Sequence, residues 1–220
     1  MRGLRLAVGL LPHSRPKIWL LRHVLGWRID AGCFVAPIVA DVRHVSLGRG
    51  VRIGAGNVFR NLDTLSMGQG SHIGHWNLIT AAPGFAGAPG NCSLTMADEA
   101  AITSAHYLDC SGSVTMGRYA AIGGRRCTLI THQADYREEW LVAEPIRIGE
   151  YALVQSNVSI TPGRTIADGV IVAMGAVVAK DCDQAHTLYA GVPAVPKKPV
   201  DGGWFTRTNG HLPARAGVRR

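Results

Sequence analysis

The stretch Ile148–Asp183 reads IGEYAL VQSNVS ITPGRT IADGVI VAMGAV VAKDCD when cut into sixes. Each six opens on an aliphatic residue: Ile148, Val154, Ile160, Ile166, Val172 and Val178. The fifth position is small or apolar at Ala152, Val158, Val170, Ala176 and Cys182, and only Arg164 departs from that rule. A period of six is neither the 3.6 of a helix nor the plain alternation of a strand. Pro162-Gly163 and the many β-branched residues also oppose a helix.

A chain with this period runs a short strand, turns a corner and repeats. Three strands and three corners return it to its starting edge after about 18 residues, one layer up. The aliphatic residues point inward and stack as ladders. Neighbouring coils pair as a parallel sheet, about 4.8 Å apart. Each coil buries its apolar edge only against its neighbours, so several are needed. Gly149, Gly169, Gly175, Asn157 and Asp168 fall where tight corners ask for positive φ or turn formers. An unpaired inward Arg164 would be costly, so it is expected to swing to a surface or subunit contact. The expected fold is all-β, a hexapeptide-repeat parallel β-helix.

Upstream the same frame recurs with interruptions. Leu47, Ile53 and Phe59 are spaced by six; after a slip of two, so are Met67, Ile73 and Ile79. Residues 81–91, AAPGFAGAPGN, consist of turn formers and small residues and read as a loop leaving the coil. The ladder resumes at Met96, Ile102 and Leu108, slips again, and continues at Met116 and Ile122. A second excursion spans roughly His132 to Pro145 and holds charged and aromatic residues. Six to seven coils are expected across 45–195. Residues 1–44 form a helical cap, with a helix from Pro16 over PKIWLLRHVLG. That helix would protect the open end of the solenoid; the alternative is a helix lying on a membrane surface, a peripheral contact its Arg and Lys would favour. From Pro196 a basic tail shows no period and is expected to be partly disordered at its end.

At 220 residues and 47% apolar the chain suits one domain with a substantial core. The net charge is +8, with the excess largely at the two ends. Scattered aromatics give no stacking platform, and no nucleic-acid motif appears. The charge reads as a solvated surface, or as attraction for an anionic cofactor or membrane-linked acceptor. Cys33, Cys92, Cys110, Cys127 and Cys182 form no CxxC and no even framework. They read as buried thiols in a reducing compartment. LAVGLL is too short for a signal core, and no run approaches a membrane span. The expected location is cytoplasmic.

The motifs IGEYALVQSNVSITPGRTIADGVIVAMGAVVAKD and YAGVPA resemble the left-handed β-helix, or hexapeptide-repeat, acetyltransferases over about Leu47 to Pro196. ITSAHYLDCSGSVTMGRYAAIGGRRCTLITH is most similar to members that act on sugars and polysaccharides. The resemblance implies left-handed winding, a homotrimer and acetyl-CoA as acyl donor.

Acetyl transfer from a thioester needs a base, donors for the oxyanion and a groove for the pantetheine arm. His132 ends the run Thr128-Leu129-Ile130-Thr131-His132, where resembling families place their His, and is the candidate base. Asp135, Glu138 and Glu139 follow closely enough to orient the imidazole, against the plainer reading of solvated loop acids. His106 and Asp135 are candidates for the acceptor side, with Ser104 and Thr103 weaker. For His106 a corner residue bonded to backbone is the plainer reading. By motif, the resemblance places Ser156, Met174, Gly175, Ala179 and Lys180 beside the cofactor, with Lys197 or Lys198 near its phosphates. Met174 and Ala179 depart from the commoner Ser and Thr, so contacts there would use main chain. No Cys or Ser sits in a nucleophile motif, so direct transfer is favoured over an acyl-enzyme.

The expected function is transfer of acetyl from acetyl-CoA to a hydroxyl of a sugar or polysaccharide precursor, without a metal. N-acetylation of an amino sugar is the alternative. Two other classes stay open: a zinc enzyme hydrating carbon dioxide, drawing on His72, His75, His106 and His132, and a non-catalytic β-helix scaffold.

Overall fold

The structure, a computed structural model, describes residues 2–210. Short parallel strands form three faces, each with one inward ladder. Face A stacks Leu47, Met67, Met96, Met116, Ile148 and Ile166, each the register partner of the next. Face B stacks Val35, Ile53, Ile73, Ile102, Ile122, Val154 and Val172. Face C stacks Phe59, Ile79, Leu108, Leu129, Ile160 and Val178. None of these side chains is more than 3% exposed. Burial of each stabilises by roughly 1.5–3 kcal/mol. The architecture is a parallel β-helix.

The three corners differ. From A to B the chain takes six residues in every coil from Leu47 to Val172. From B to C it also takes six, except for seven between Ile122 and Leu129. From C to A it takes eight at Phe59–Met67 and Leu108–Met116, and far more at Ile79–Met96 and Leu129–Ile148. Both excursions therefore leave from this one wide corner. Arg164 lies there too: its side chain swings out, donating to the Pro162 carbonyl at 2.9 Å and facing Asp181 at 3.8 Å.

Parallel pairing begins before Val45, with Arg28–Ile29 on Ser46–Leu47 and Phe34–Val35 on Arg52–Ile53. Two helices cap this end where the sequence suggested one: α1, Arg2–Leu10, and α2, Arg15–His23. Ser14 caps α2, its hydroxyl accepting from the Lys17 N–H at 3.3 Å, with Pro16 in the first turn. α1 lies so close to the first coil that a Cβ on Gly9 would come within 2.7 Å of the Ile38 carbonyl. Lys17, counted in the sequence among the basic surface excess, is instead fully buried. Its ammonium donates to the carbonyls of Gly9, Leu11 and Ala36 at 2.8–2.9 Å, tying both helices to the coil. Burial lowers its pKa to about 8.

The other end is closed by Thr187–Ala190 pairing antiparallel with Val195–Pro199. Beyond Pro196 the tail packs on the coils as far as 210; its end, 211–220, where disorder is expected, lies outside the described residues. It runs back along the A-to-B corner: Trp204 donates to the Tyr151 carbonyl at 2.7 Å, and the Gly210 N–H reaches Glu99 at 2.9 Å. Arg215, Arg219 and Arg220 lie outside the described residues. Cys92, Cys110, Cys127 and Cys182 are buried, Cys33 is half-buried, and all five are free thiols. Among the described residues no helix is long and apolar enough to cross a membrane.

Candidate active site

The wide corner gathers the chemistry. Leu108 stacks on Leu129, so the residues that follow them, Asp109–Gly112 and Ile130–His132, lie one rung apart. Asp109 turns inward and is 2% exposed. Its Oδ2 meets His132 Nδ1 at 2.8 Å and accepts from the Thr131 N–H and hydroxyl, both at 2.8 Å. Its Oδ1 accepts from the Ser111 hydroxyl at 2.5 Å. Burial pushes the Asp109 carboxyl up, but the bonds from Ser111, His132 and Thr131 outweigh it and hold the pKa below its ordinary value. An ionised Asp109 fixes the proton of neutral His132 on Nδ1. The Nε2 lone pair is then free, and no described residue bonds to it. The ring is 30% exposed.

Both excursions frame this dyad. Phe85, in the short turn Pro83–Phe85, lies 5.7 Å from the His132 ring, centroid to centroid. The same turn is anchored by the Ala82 N–H on the Ser111 hydroxyl at 2.9 Å. On the other side His132–Asp135 pairs antiparallel with Trp140–Ala143 as a projecting hairpin. Trp140, Leu141 and Tyr136 on it are exposed.

Asp135 does not meet His132. Its Oδ1 accepts from the N–H groups of Arg137 and Glu138 at 2.9 and 3.3 Å, closing the hairpin turn. Among the described residues neither Glu138 nor Glu139 bonds to the imidazole; the acid that orients it is Asp109, which the sequence reading missed. His106 is also given another task. It is 2% exposed at the B-to-C corner, where it continues a buried polar ladder from Asn57 and Asn77. Its Nδ1 accepts from the Cys127 N–H at 3.1 Å, so Nε2 carries the proton and donates to Thr103 Oγ1 at 2.9 Å. Burial lowers its pKa to about 4. Neither nitrogen is left for an acceptor. Ser104 is likewise occupied, accepting from the His75 N–H at 3.0 Å.

A second concavity, of about 450 Å³, opens at the B-to-C corner between Ala105, Arg125, Arg126, Ser156, Asn157 and Met174. It unites two of the residues placed by motif, Ser156 and Met174, with two arginines that the sequence reading passed over. The extra residue between Ile122 and Leu129 falls here and projects the Arg125-Arg126 pair. Gly124, at φ +74, lies so tightly over Ser156 that a Cβ there would collide with its hydroxyl. Gly175 donates to the Ser156 carbonyl at 3.0 Å, and Met174 is 65% exposed. Ala179, Lys180, Lys197 and Lys198 are exposed and do not line this cavity.

The four histidines weighed as zinc ligands do not converge. His75 Nδ1 accepts from the Ala55 N–H at 3.0 Å, and His106 and His132 are engaged as described. Among the described residues no three His, Cys, Asp or Glu side chains form a group able to hold a metal ion.

No protein-family profile matches the chain, and no curated protein matches it in sequence. Its fold does find likenesses among solved structures. AntD, an N-acyltransferase from Bacillus cereus solved with dTDP-4-amino-4,6-dideoxyglucose and coenzyme A, superposes with a TM-score of 0.59 at 14% identity. That match covers 87% of this chain and 92% of AntD. Another AntD structure, with dTDP and coenzyme A, gives 0.55 at 15% identity over 68% of this chain and 83% of AntD. A maltose O-acetyltransferase from Clostridium difficile superposes more loosely, at 0.42 and 15% identity over 91% of this chain and 84% of its own. The chain thus shares its fold with AntD, at an identity that fixes the architecture and leaves the reaction to be argued from the site.

Proposed function

We propose that this chain transfers an acetyl group from acetyl-CoA to a hydroxyl of a sugar or polysaccharide precursor. The observation that carries the reading is the His132–Asp109 dyad at the rim of the wide corner, with Nε2 unengaged. In the proposed step His132 Nε2 takes the proton of the acceptor hydroxyl as its oxygen attacks the thioester carbonyl. The tetrahedral intermediate collapses, the carbon–sulfur bond breaks, and the proton passes from His132 to the departing CoA sulfur. Asp109 stabilises the imidazolium between the two transfers. An amino-sugar acceptor uses the same dyad, and the amino sugar bound by AntD favours that second reading.

The donor is assigned to the B-to-C corner. Arg125 and Arg126 suit anionic phosphates, Ser156, Met174 and Gly175 would meet the pantetheine arm, and Ala179, Lys180 and Lys197 are kept as outer contacts. Arg126 and His132 lie six residues apart in the chain, one on each side of the short strand Thr128–Leu129, up to about 20 Å. A homotrimer of left-handed coils, in which the donor corner of one chain faces the dyad of its neighbour, would close that separation. A cytoplasmic location accords with the five free thiols. Exposed Leu10, Leu11 and Trp19 on the helical cap, near Arg15 and Arg22, favour peripheral contact with a membrane carrying the acceptor.

The test is acetyl-CoA binding by calorimetry beside CoA release with a panel of sugars, for wild type and His132→Ala. Both proteins should bind the donor, and turnover should fall by roughly 10²–10⁴-fold in the variant. Binding by neither would remove the donor assignment and bring a scaffold role forward. The oligomeric state is read separately by sedimentation.

A further inference from the structure

A cavity of about 210 Å³ lies on the helical-cap side of the loop 81–91, between α1 and the wide corner of the first coils. Arg2, Arg5 and Arg43 line it, with Asp41 and Asp63. The charges do not balance. Asp41 serves two guanidiniums, Arg2 at 2.9 Å and Arg5 at 3.7 Å, and Arg43 reaches Asp63 only at 3.8 Å. Three cations thus face two carboxylates. Arg5 NH1 donates to the Val42 carbonyl at 2.9 Å, and its buried Nε has no partner among the described residues.

The cavity adjoins the dyad. Pro83 and Ala86 form part of its wall, and Phe85 between them faces the His132 ring. Cys92, also in the wall, links the two sites through backbone: the Asp63 N–H donates to the Cys92 carbonyl at 2.8 Å, and the Cys92 N–H donates to the Ser111 carbonyl at 3.3 Å. Ser111 in turn holds Asp109. From Cys92 to the rung of Thr131 is two coil steps, about 10 Å. The volume is about seven times a water's share of the liquid, roughly 30 Å³, so it admits one charged head group and not a polymer.

We propose that this cavity binds an anionic group, phosphate or carboxylate, carried by the acceptor sugar, and so presents a hydroxyl at the far end of that sugar to His132. The proposal rests on the transfer reading for its purpose, though not for the binding itself. Arginine forks match both anions in shape and charge. The acceptor class is therefore an anionic sugar, either a sugar phosphate or a uronic acid.

The test is direct binding of glucose 1-phosphate, glucuronate and glucose to the full chain, followed by ligand-observed NMR. The proteins are wild type, His132→Ala, Arg43→Gln and the control Arg125→Gln. At least one of the two anionic sugars should bind wild type, His132→Ala and Arg125→Gln alike, at least tenfold more tightly than glucose. Arg43→Gln should weaken it at least tenfold and leave acetyl-CoA binding unchanged. The phosphate and carboxylate arms separate the two sources of charge. Arg43 is exposed and only loosely paired, so its variant should fold, which its melting curve checks. Binding equal to glucose, or undiminished in Arg43→Gln, overturns the proposal. If the anionic sugars bind as expected while no sugar elicits CoA release, the cavity stands and the transfer reading falls. If a sugar is acetylated while neither anionic sugar binds more tightly than glucose, transfer stands and the cavity reading falls.

Discussion

The narrow and wide corners of this β-helix are built from the same chain by opposite rules. At the A-to-B and B-to-C corners a step of six is kept almost throughout, and the residue that fills the bend is buried in coil after coil: Val51, Ser71, Ala100, Ala120 and Ala152 at one, Asn57, Asn77, His106, Cys127 and Val158 at the other. At the wide corner the step varies from coil to coil, and there the loop 81–91, the hairpin, the dyad and the arginine cavity all assemble. A change of step within a strand would misplace every inward side chain after it, whereas an extra residue in a corner, as between Ile122 and Leu129, is absorbed before the next strand. Variation is therefore largest at one corner, where the chain leaves the wall and returns in register. The regular ladders and the proton-transfer dyad are separated by corner, not by domain.

That separation is broken most severely through Asp109. Asp109→Asn removes the charge that holds the His132 proton on Nδ1. Turnover should fall by up to about 10⁴-fold, the loss seen when an orienting aspartate becomes asparagine in a Ser-His-Asp site. The amide oxygen can still accept from only part of the Thr131 and Ser111 donors, so stability should also drop, by roughly 1–3 kcal/mol. Rates measured well below the melting transition separate the two effects. Equal turnover in wild type and variant would remove Asp109 from the mechanism.

The ladder should behave in the opposite way. Ile122 is fully buried between Ile102 and Val154. Ile122→Ala should cost about 2–5 kcal/mol in denaturant unfolding, with turnover per folded molecule unchanged. A lost turnover without lost stability would show that the two roles are mixed.

His106 tests the narrow corner by pH. Its folded pKa is depressed from 6.5 to about 4, because burial and the Cys127 N–H require a neutral ring. The unfolded chain then binds a proton that the folded chain does not. The contribution of His106 is complete above pH 6.5 and is lost as pH falls towards 4, by roughly 3 kcal/mol in all. Asp109, also depressed, acts in the same direction at lower pH. His106→Asn, which continues the ladder of Asn57 and Asn77, should flatten the acid limb between pH 6.5 and 4. An unchanged limb in unfolding curves would place the sensitivity elsewhere.

The narrow corners were also the legible ones. A fixed step of six exposes itself in sequence, so each hexad-opening residue named from Leu47 to Val178 lies on a rung. His132 was legible because its run resembles a known pattern. Asp109 was not, because proximity in sequence points to Asp135, Glu138 and Glu139. In a coil the neighbour of residue i lies about one turn earlier, and stacking Leu108 on Leu129 would have set Asp109 beside Thr131 and His132. Arg125 and Arg126 were hidden for a related reason: one inserted residue moved Leu129 out of the frame of six. Lys17 and α1 lie outside the repeat, where period says nothing and only three-dimensional contact shows that an apparent surface lysine ties the cap.

The smallest expected effect concerns the strap along the A-to-B corner. Arg207 lies 3.5 Å above the Trp204 ring and beside the stacked pair Tyr119 and Tyr151, and it donates to the carbonyls of Trp204 and Tyr119. Burial lowers its pKa, and its Nε is buried with no partner among the described residues, so desolvation offsets part of what the aromatic contacts provide. The net loss in Arg207→Ala should be small, about 1 kcal/mol, within the range for a partly desolvated cation over an aromatic ring. It should appear in thermal unfolding and leave turnover and acetyl-CoA binding untouched, since the strap covers a corner with no part in the site. A loss of turnover beyond that of folded protein would mean that the tail reaches the chemistry, and the division of labour between corners would have to be redrawn.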